Sequence, residues 1–229
     1  MKIKTIVISL GGSLIIPDDV DISFLEKFKQ VISKHKNKYR FVIVTGGGSI
    51  ARKYIKELKQ ANKSEFLQSM AGIGTTSMNA RFLTYIFGKD ANQGIPHDMK
   101  QVANLLTKNN PVFCGALRYA EKETSDATSA KLANFFNCEF INLTLVPGLF
   151  TKNPLEYKDA KFIPKISWQD FYERANKLKY KPGQHFVLDQ SAARIIRDYK
   201  IKTYILGKDL RQLDNFLSGK KFKGTVIGG

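Results

Sequence analysis

The stretch Ile43-Val44-Thr45-Gly46-Gly47-Gly48-Ser49-Ile50-Ala51-Arg52 decides the fold. Residues 40–45 (RFVIVT) are β-branched and apolar, as in a buried strand. Three glycines break it, and Ile50, Tyr54, Ile55 and Leu58 then recur at helical spacing. Strand, glycine turn and helix in that order make one half of a parallel α/β unit. The arrangement has a partner near the start of the chain. Residues 4–10 (KTIVISL) read as a strand that ends in Gly11-Gly12-Ser13. Glycine lets backbone N–H groups approach an anion with no Cβ in the way, and a helix start adds its positive dipole end. Arg52, one turn into the helix, can hydrogen-bond a phosphate. Two such cradles suit phosphoryl transfer, which holds donor and acceptor phosphates close and in line. Tight turns without any ligand are the alternative reading.

Neither loop is GxxxxGK[ST], and alanine stands where the second would need the last glycine of GxGxxG. This disfavours a P-loop enzyme and a dinucleotide-binding dehydrogenase. Working outward, Ser23-Phe24-Leu25-Glu26 is a capping-box pattern opening a helix to about His35. Helical regions follow at about 64–87, 126–136, from Ser167 onward, at 189–199 and at 209–218. Strands are expected at 111–115, in FINLTLV, at 202–206 and in the closing GTVI. The alternation predicts an α/β fold with a mostly parallel sheet sandwiched between helices. We read 1–229 as one domain, with an acceptor-binding part at about 1–140 and a nucleotide-binding part at about 141–229. Residues 145–166, with Pro147, Gly148, Pro154 and Pro164, are the longest irregular stretch and read as a functional loop.

The hydrophobic fraction of 43% over 229 residues supports a large core. No apolar run is long enough for a membrane helix. The first strand is too short and too alternating for a signal peptide, so a cytoplasmic location is expected. The net charge of +17 raises the question of a polyanionic partner. The cations are scattered over helix faces (Lys27, Lys29, Lys34, Lys36, Lys38) and loops (Lys177, Lys179, Lys181), with no RNP-like motif or zinc finger, which argues against nucleic acid as the main ligand. Cys114 and Cys138 read as buried small hydrophobes. His35, His97 and His185 have no metal-ligand spacing, so no protein-built metal site is expected.

With these residues in hand, the chain resembles the amino acid kinase superfamily, and within it the archaeal-type uridylate (UMP) kinases. LGGSL is similar to the first nucleotide loop of that family, and TGGGSIARKYI to its GGG-x-x-A-R-K-Y-I segment. IGTTSMNARFL, TSDA, FTKNP and VLDQSAARII resemble its following helix, acceptor segment, adenine loop and later helix. The resemblance covers essentially the whole chain. It implies transfer of a phosphoryl group from ATP, with Mg2+, to UMP or a related small phosphorylated acceptor. It also implies a homo-oligomer, commonly a hexamer. By the same resemblance, Gly11, Gly12, Ser13 and Gly48 would hold ATP phosphates, and Gly47 would lie toward the acceptor with Ser69, Thr124, Ser125 and Asp126. Thr144, Phe150 and Asn153 would surround the donor base and ribose. Arg52 and Arg194 would supply positive charge to the transferred group. From the residues alone, Asp126 is readable either as an acceptor-site carboxylate or as the N-cap of the helix behind it.

The chain departs from the family pattern on ligand-facing positions. Leu145-Val146-Pro147-Gly148 stands for N-V-D-G, Asn153 for the aspartate of D-P, and Phe150 for a tyrosine. Residues 116–123 replace a glycine-rich acceptor segment, Ser69 an acidic residue, and Ser9 a lysine or aspartate. Besides an active UMP-type kinase, a superfamily kinase with another acceptor and a nucleotide-binding chain without turnover therefore stay open.

Overall fold

The computed structural model describes residues 3–119, 123–177 and 188–229. Ala120, Glu121 and Lys122 of the altered acceptor segment lie outside the described residues, as do Lys179, Lys181 and His185. The chain opens with β1 (Lys4–Leu10), a short α1 (Gly12–Ile15), α2 (Ile22–His35) and β2 (Tyr39–Thr45). A helical pair follows, α3 (Gly48–Gln60) and α4 (Glu65–Phe87), then α5 (Met99–Leu106), β3 (Val112–Cys114), α6 (Ser125–Phe135) and β4 (Glu139–Leu143). The last third holds β5 (Leu149–Phe150), β6 (Phe162–Ile163), β7 (Lys165–Ile166), α7 (Trp168–Lys177), α8 (Gln190–Asp198), β8 (Thr203–Leu206), α9 (Leu210–Leu217) and β9 (Thr225–Ile227).

Seven strands form one sheet in the order β3-β2-β1-β4-β8-β9-β7. Every neighbouring pair is parallel except β8–β9, so the expectation of a mostly parallel sheet holds. β1 lies in the interior of the sheet, third from the β3 edge, its Ile8 opposite Ile43 of β2 and Ile141 of β4. Alternation along it divides two cores. Val7 points to the side packed by α5, α6, α7 and α8. Ile6, Ile8 and Leu10 point to the side packed by α1, α2, α4 and α9. With both faces covered, the strands become near-continuous apolar runs.

The differences from the sequence reading are local. The cap of α2 is Asp21, whose side chain accepts the N–H of Phe24, and not the Ser23 box. The 3-residue frame is the same, but the earlier carboxylate takes the orphan donor. α5 was not anticipated; only its Val102 and Leu106 are fully buried, too few to give a clear period. The stretch 145–166 is not wholly irregular, since β5 and β6 pair as an antiparallel hairpin and β7 joins the sheet edge.

Candidate active site

The two glycine turns close on one another at the carboxyl ends of β1 and β2. The N–H of Gly46 donates to Leu10 O at 2.9 Å, and the N–H of Ser49 to Ile16 O at 3.2 Å. A Cβ on Gly12 would lie 2.0 Å from Gly48 N. Gly48 has φ +64°, and a Cβ there would meet Gly12 O at 2.6 Å. Only glycine at both positions permits this approach. Gly11 donates to Leu143 O at 3.0 Å, which ties the first turn to β4 as well. Gly47 precedes α3 as its N-cap. Arg52, exposed on α3, donates from Nη1 to Ser13 Oγ at 3.2 Å, so one guanidinium bridges the two turns. Ser49 Oγ is buried at this junction with no hydrogen-bond partner among the described residues.

A second group lies beside the first strand. Ser9 Oγ donates to Asp126 Oδ1 at 2.7 Å. Thr124 Oγ1 donates to Asp189 Oδ2 and accepts the N–H of Asp126 at 3.1 Å. Asp189 Oδ1 accepts the N–H of Ala192 at 2.7 Å and so caps α8. Burial, reinforced by the nearby Asp189 charge, pushes the Asp126 carboxyl up to about 7 against the pull of the Ser9 hydrogen bond. Burial also raises Asp189, opposed by Thr124 and by the backbone donors of α8. The N-cap of α6 is therefore Thr124, and the capping reading of Asp126 is corrected. Ser125 opens the same helix, its carbonyl accepting from Ser129 Oγ. Asp189 was missed by sequence reasoning. The only signal was an aspartate opening the amphipathic run of α8, which reads first as a cap.

Ser69, expected toward the acceptor, stands on α4, which packs against the second glycine turn and the end of β3. Thr45 Oγ1 donates to Thr76 O at 2.7 Å, and Asn79 Nδ2 to Gly46 O at 2.8 Å. Thr76 Oγ1 accepts the N–H of Ala116 at 2.9 Å. A Cβ on Gly115 would lie 2.6 Å from Ser77 N. Residues 115–119 thus start pressed against α4. They meet it again where the rings of Tyr119 and Phe66 stand 4.9 Å apart at 80°. Ser69 is half-buried on α4 between those contacts.

The expected donor residues are spread more widely. Thr144 follows β4, donates its N–H to Leu206 O at 3.0 Å and sits beside Gly11, where a Cβ would be 3.8 Å from Thr144 Cα. Phe150 packs on Phe162 across the hairpin at 5.4 Å and 59°. Asn153 is engaged locally, accepting Leu155 N–H and donating to Glu156 Oε1 at 2.8 Å. Arg194 is exposed on α8, with no side-chain partner among the described residues. Pro147 lies against Gly207, whose Cβ would meet Pro147 Cα at 2.8 Å. Among the described residues no group of three or more His, Cys, Asp or Glu could hold a metal ion, and no helix is long and apolar enough to cross a membrane.

The sequence profile of the amino acid kinase family matches residues 4–207. The chain is 32% identical over 225 residues to a uridylate kinase of Thermococcus onnurineus, covering 97% of this chain and 98% of that one. It is 33% identical to a uridylate kinase of Thermoplasma volcanium, covering 98% and 97%. In three dimensions it is similar to the uridylate kinase from Archaeoglobus fulgidus, with a TM-score of 0.84 and 29% identity over 97% of this chain and 99% of that one. The aspartate kinase from Synechocystis shares the fold, with a TM-score of 0.74 at 17% identity, covering 98% of this chain and 40% of that one.

Proposed function

The chain belongs to the amino acid kinase family, and from that membership we propose that it transfers the γ-phosphoryl group of ATP to UMP, giving ADP and UDP. The observation that carries the proposal is the backbone contact between the two glycine turns, with Arg52 reaching across to Ser13. Phosphoryl transfer asks a protein mainly to position two charged groups and to stabilise the charge between them. On this reading Gly11, Gly12, Ser13 and Gly48 hold the donor phosphates. Gly47 and the start of α3 hold the acceptor phosphate, and the Arg52 guanidinium lies between them. Thr144, Phe150 and Asn153 border the donor nucleoside. Ser69, Thr124, Ser125 and Asp126 border the acceptor, and Arg194 adds positive charge from α8. The acceptor part at about 1–140 and the nucleotide part at about 141–229 meet along β1 and β4.

Magnesium would enter with the triphosphate. The described residues offer it one or two carboxylates, Asp126 and Asp189, rather than a cage, which is the usual manner of binding this ion. When bound it neutralises charge on the transferring phosphates. The chain's own part is to keep Asp126 oriented through Ser9, and Asp189 through Thr124.

We place the protein in the cytoplasm, where both nucleotides are at hand. The exposed apolar residues Met70, Met78 and Tyr85 of α4, with Tyr54 of α3, support self-association, up to the hexamer that the resemblance implies. Light scattering of a Met78→Asp variant would report a smaller particle if this face pairs.

The function is tested by ADP release with ATP, magnesium and UMP, beside an Arg52→Ala control. UMP-dependent turnover that falls in the variant supports the proposal. A folded protein with no turnover overturns it and favours a nucleotide-binding chain without activity or a kinase for another acceptor.

A further inference from the structure

Two aromatic rings stand in the open at the start of α4 and the end of the described acceptor segment. Phe66 is 49% exposed and Tyr119 39% exposed. They meet edge to face at 4.9 Å and 80°. Large apolar side chains so exposed, and yet paired across two elements, invite a ligand that covers them. Their position along α4 indicates what kind. Phe66, Ser69, Ile73 and Thr76 recur at i, i+3, i+7 and i+10, so they share one face of the helix. Residues 115–119 run along that face. They are anchored at one end by the Ala116–Thr76 hydrogen bond and the close approach of Gly115, and at the other by the Tyr119–Phe66 pair.

The face also has a phosphate end. A Cβ on Gly47 would be 3.8 Å from Gly72 O, so the second glycine turn abuts α4 at Gly72. From Gly72 to Phe66 is six residues, or about 9 Å of helix rise. That separation suits a nucleoside monophosphate with its phosphate at the glycine turn and its base beside the rings. Ser69 falls between the two, level with the sugar.

We propose that Phe66 and Tyr119 form the base platform of the acceptor site. The proposal rests on the nucleotide-acceptor reading above and adds to it the residues that grip the base. Every base has a π face, so the platform supplies affinity for a nucleobase while leaving its identity to polar contacts. The contact of Tyr119 with Phe66 also holds the end of residues 115–119 on α4.

The test is steady-state kinetics on the full chain with UMP as acceptor, for wild type, Phe66→Ala, Tyr119→Ala and Tyr119→Phe. Loss of one stacking partner is expected to raise KM for UMP about 10-fold or more. KM for ATP should stay near the wild-type value, and Tyr119→Phe should restore KM for UMP because it keeps the ring. A purely structural role would instead lower the melting temperature and disturb both KM values together. Unchanged KM for UMP in both alanine variants, or failure of Tyr119→Phe to restore it, overturns the platform. If wild type itself does not turn over UMP, the acceptor reading fails first. Binding of UMP followed by fluorescence or calorimetry then decides the platform alone, with loss in the alanine variants supporting it and unaltered or absent binding overturning it.

Discussion

Ser9 donates its hydroxyl to Asp126 at 2.7 Å, joining β1 to the first turn of α6. The carboxyl it touches is held at about 7 by burial and by the neighbouring Asp189 charge, against an ordinary value of 3.8. A carboxyl raised on folding binds its proton more tightly in the native state, so its stabilising contribution is full below pH 3.8. That contribution is lost as pH rises to about 7. Thermal melts should show Asp126→Asn gaining stability relative to wild type across this window, with the difference largest at pH 8 and absent near pH 3.5. A constant difference at all pH values would mean that Asp126 is not strained by charge.

The junction of the glycine turns leaves no room for a methyl group. Gly48→Ala combines a φ of +64° with a Cβ 2.6 Å from Gly12 O. The left-handed conformation alone costs about 1–2 kcal/mol, and the clash adds to it. Urea denaturation should show a loss above 2 kcal/mol, roughly, on these grounds. Gly12→Ala, with its Cβ 2.0 Å from Gly48 N, should be worse and give no folded protein at 37 °C. A stable, active Gly12→Ala would contradict the observed packing.

Arg52 should separate chemistry from stability. Its side chain is exposed and, among the described residues, makes a single hydrogen bond, to Ser13, so Arg52→Ala should alter the melting temperature little. Loss of one preorganised charge contact costs roughly 10²–10³ in turnover. Arg52→Lys should recover only part of it, because an ammonium lacks the planar fork. Equal activity of wild type and Arg52→Ala would remove Arg52 from the site.

Ser49 offers the opposite case. Its hydroxyl is buried without a partner among the described residues, and such a group costs about 1–3 kcal/mol of desolvation. Ser49→Ala keeps the volume nearly constant and should raise stability by about 1 kcal/mol in urea. A marked loss instead would show that the hydroxyl is satisfied in solution.

The strands and the two glycine turns were legible because each is a local signal: a β-branched run broken by residues that fit where others cannot. The parallel order followed from the alternation of strands and helices. What escaped were features settled by contacts distant in sequence. Asp189 meets Thr124 across 65 positions, and nothing near either residue marks the pairing. Asp126 looked like a cap because it opens a helix, yet Thr124 two residues earlier takes that task and frees the carboxylate for Ser9. Asp21 displaced Ser23 in the same way at α2. Resemblance grouped Asn153 and Phe150 around a donor base. No local pattern joins them: in the fold Asn153 bonds within its own turn and Phe150 packs on Phe162, twelve residues on, and neither contact bears on a base beside them.

The Gly12–Gly48 contact has one more consequence. Because main chain touches main chain there, the spacing between the two turns is fixed without any side chain, and no change of side chain elsewhere can stretch it. On the proposed reading the selective parts lie elsewhere, on the face of α4 that carries Phe66 and Ser69 and on the segment laid over it. On that reading the acceptor can change by redrawing those surfaces while the gauge of the transfer stays constant, in keeping with a chain whose glycine turns resemble those of the family while Ser69 and residues 116–123 do not.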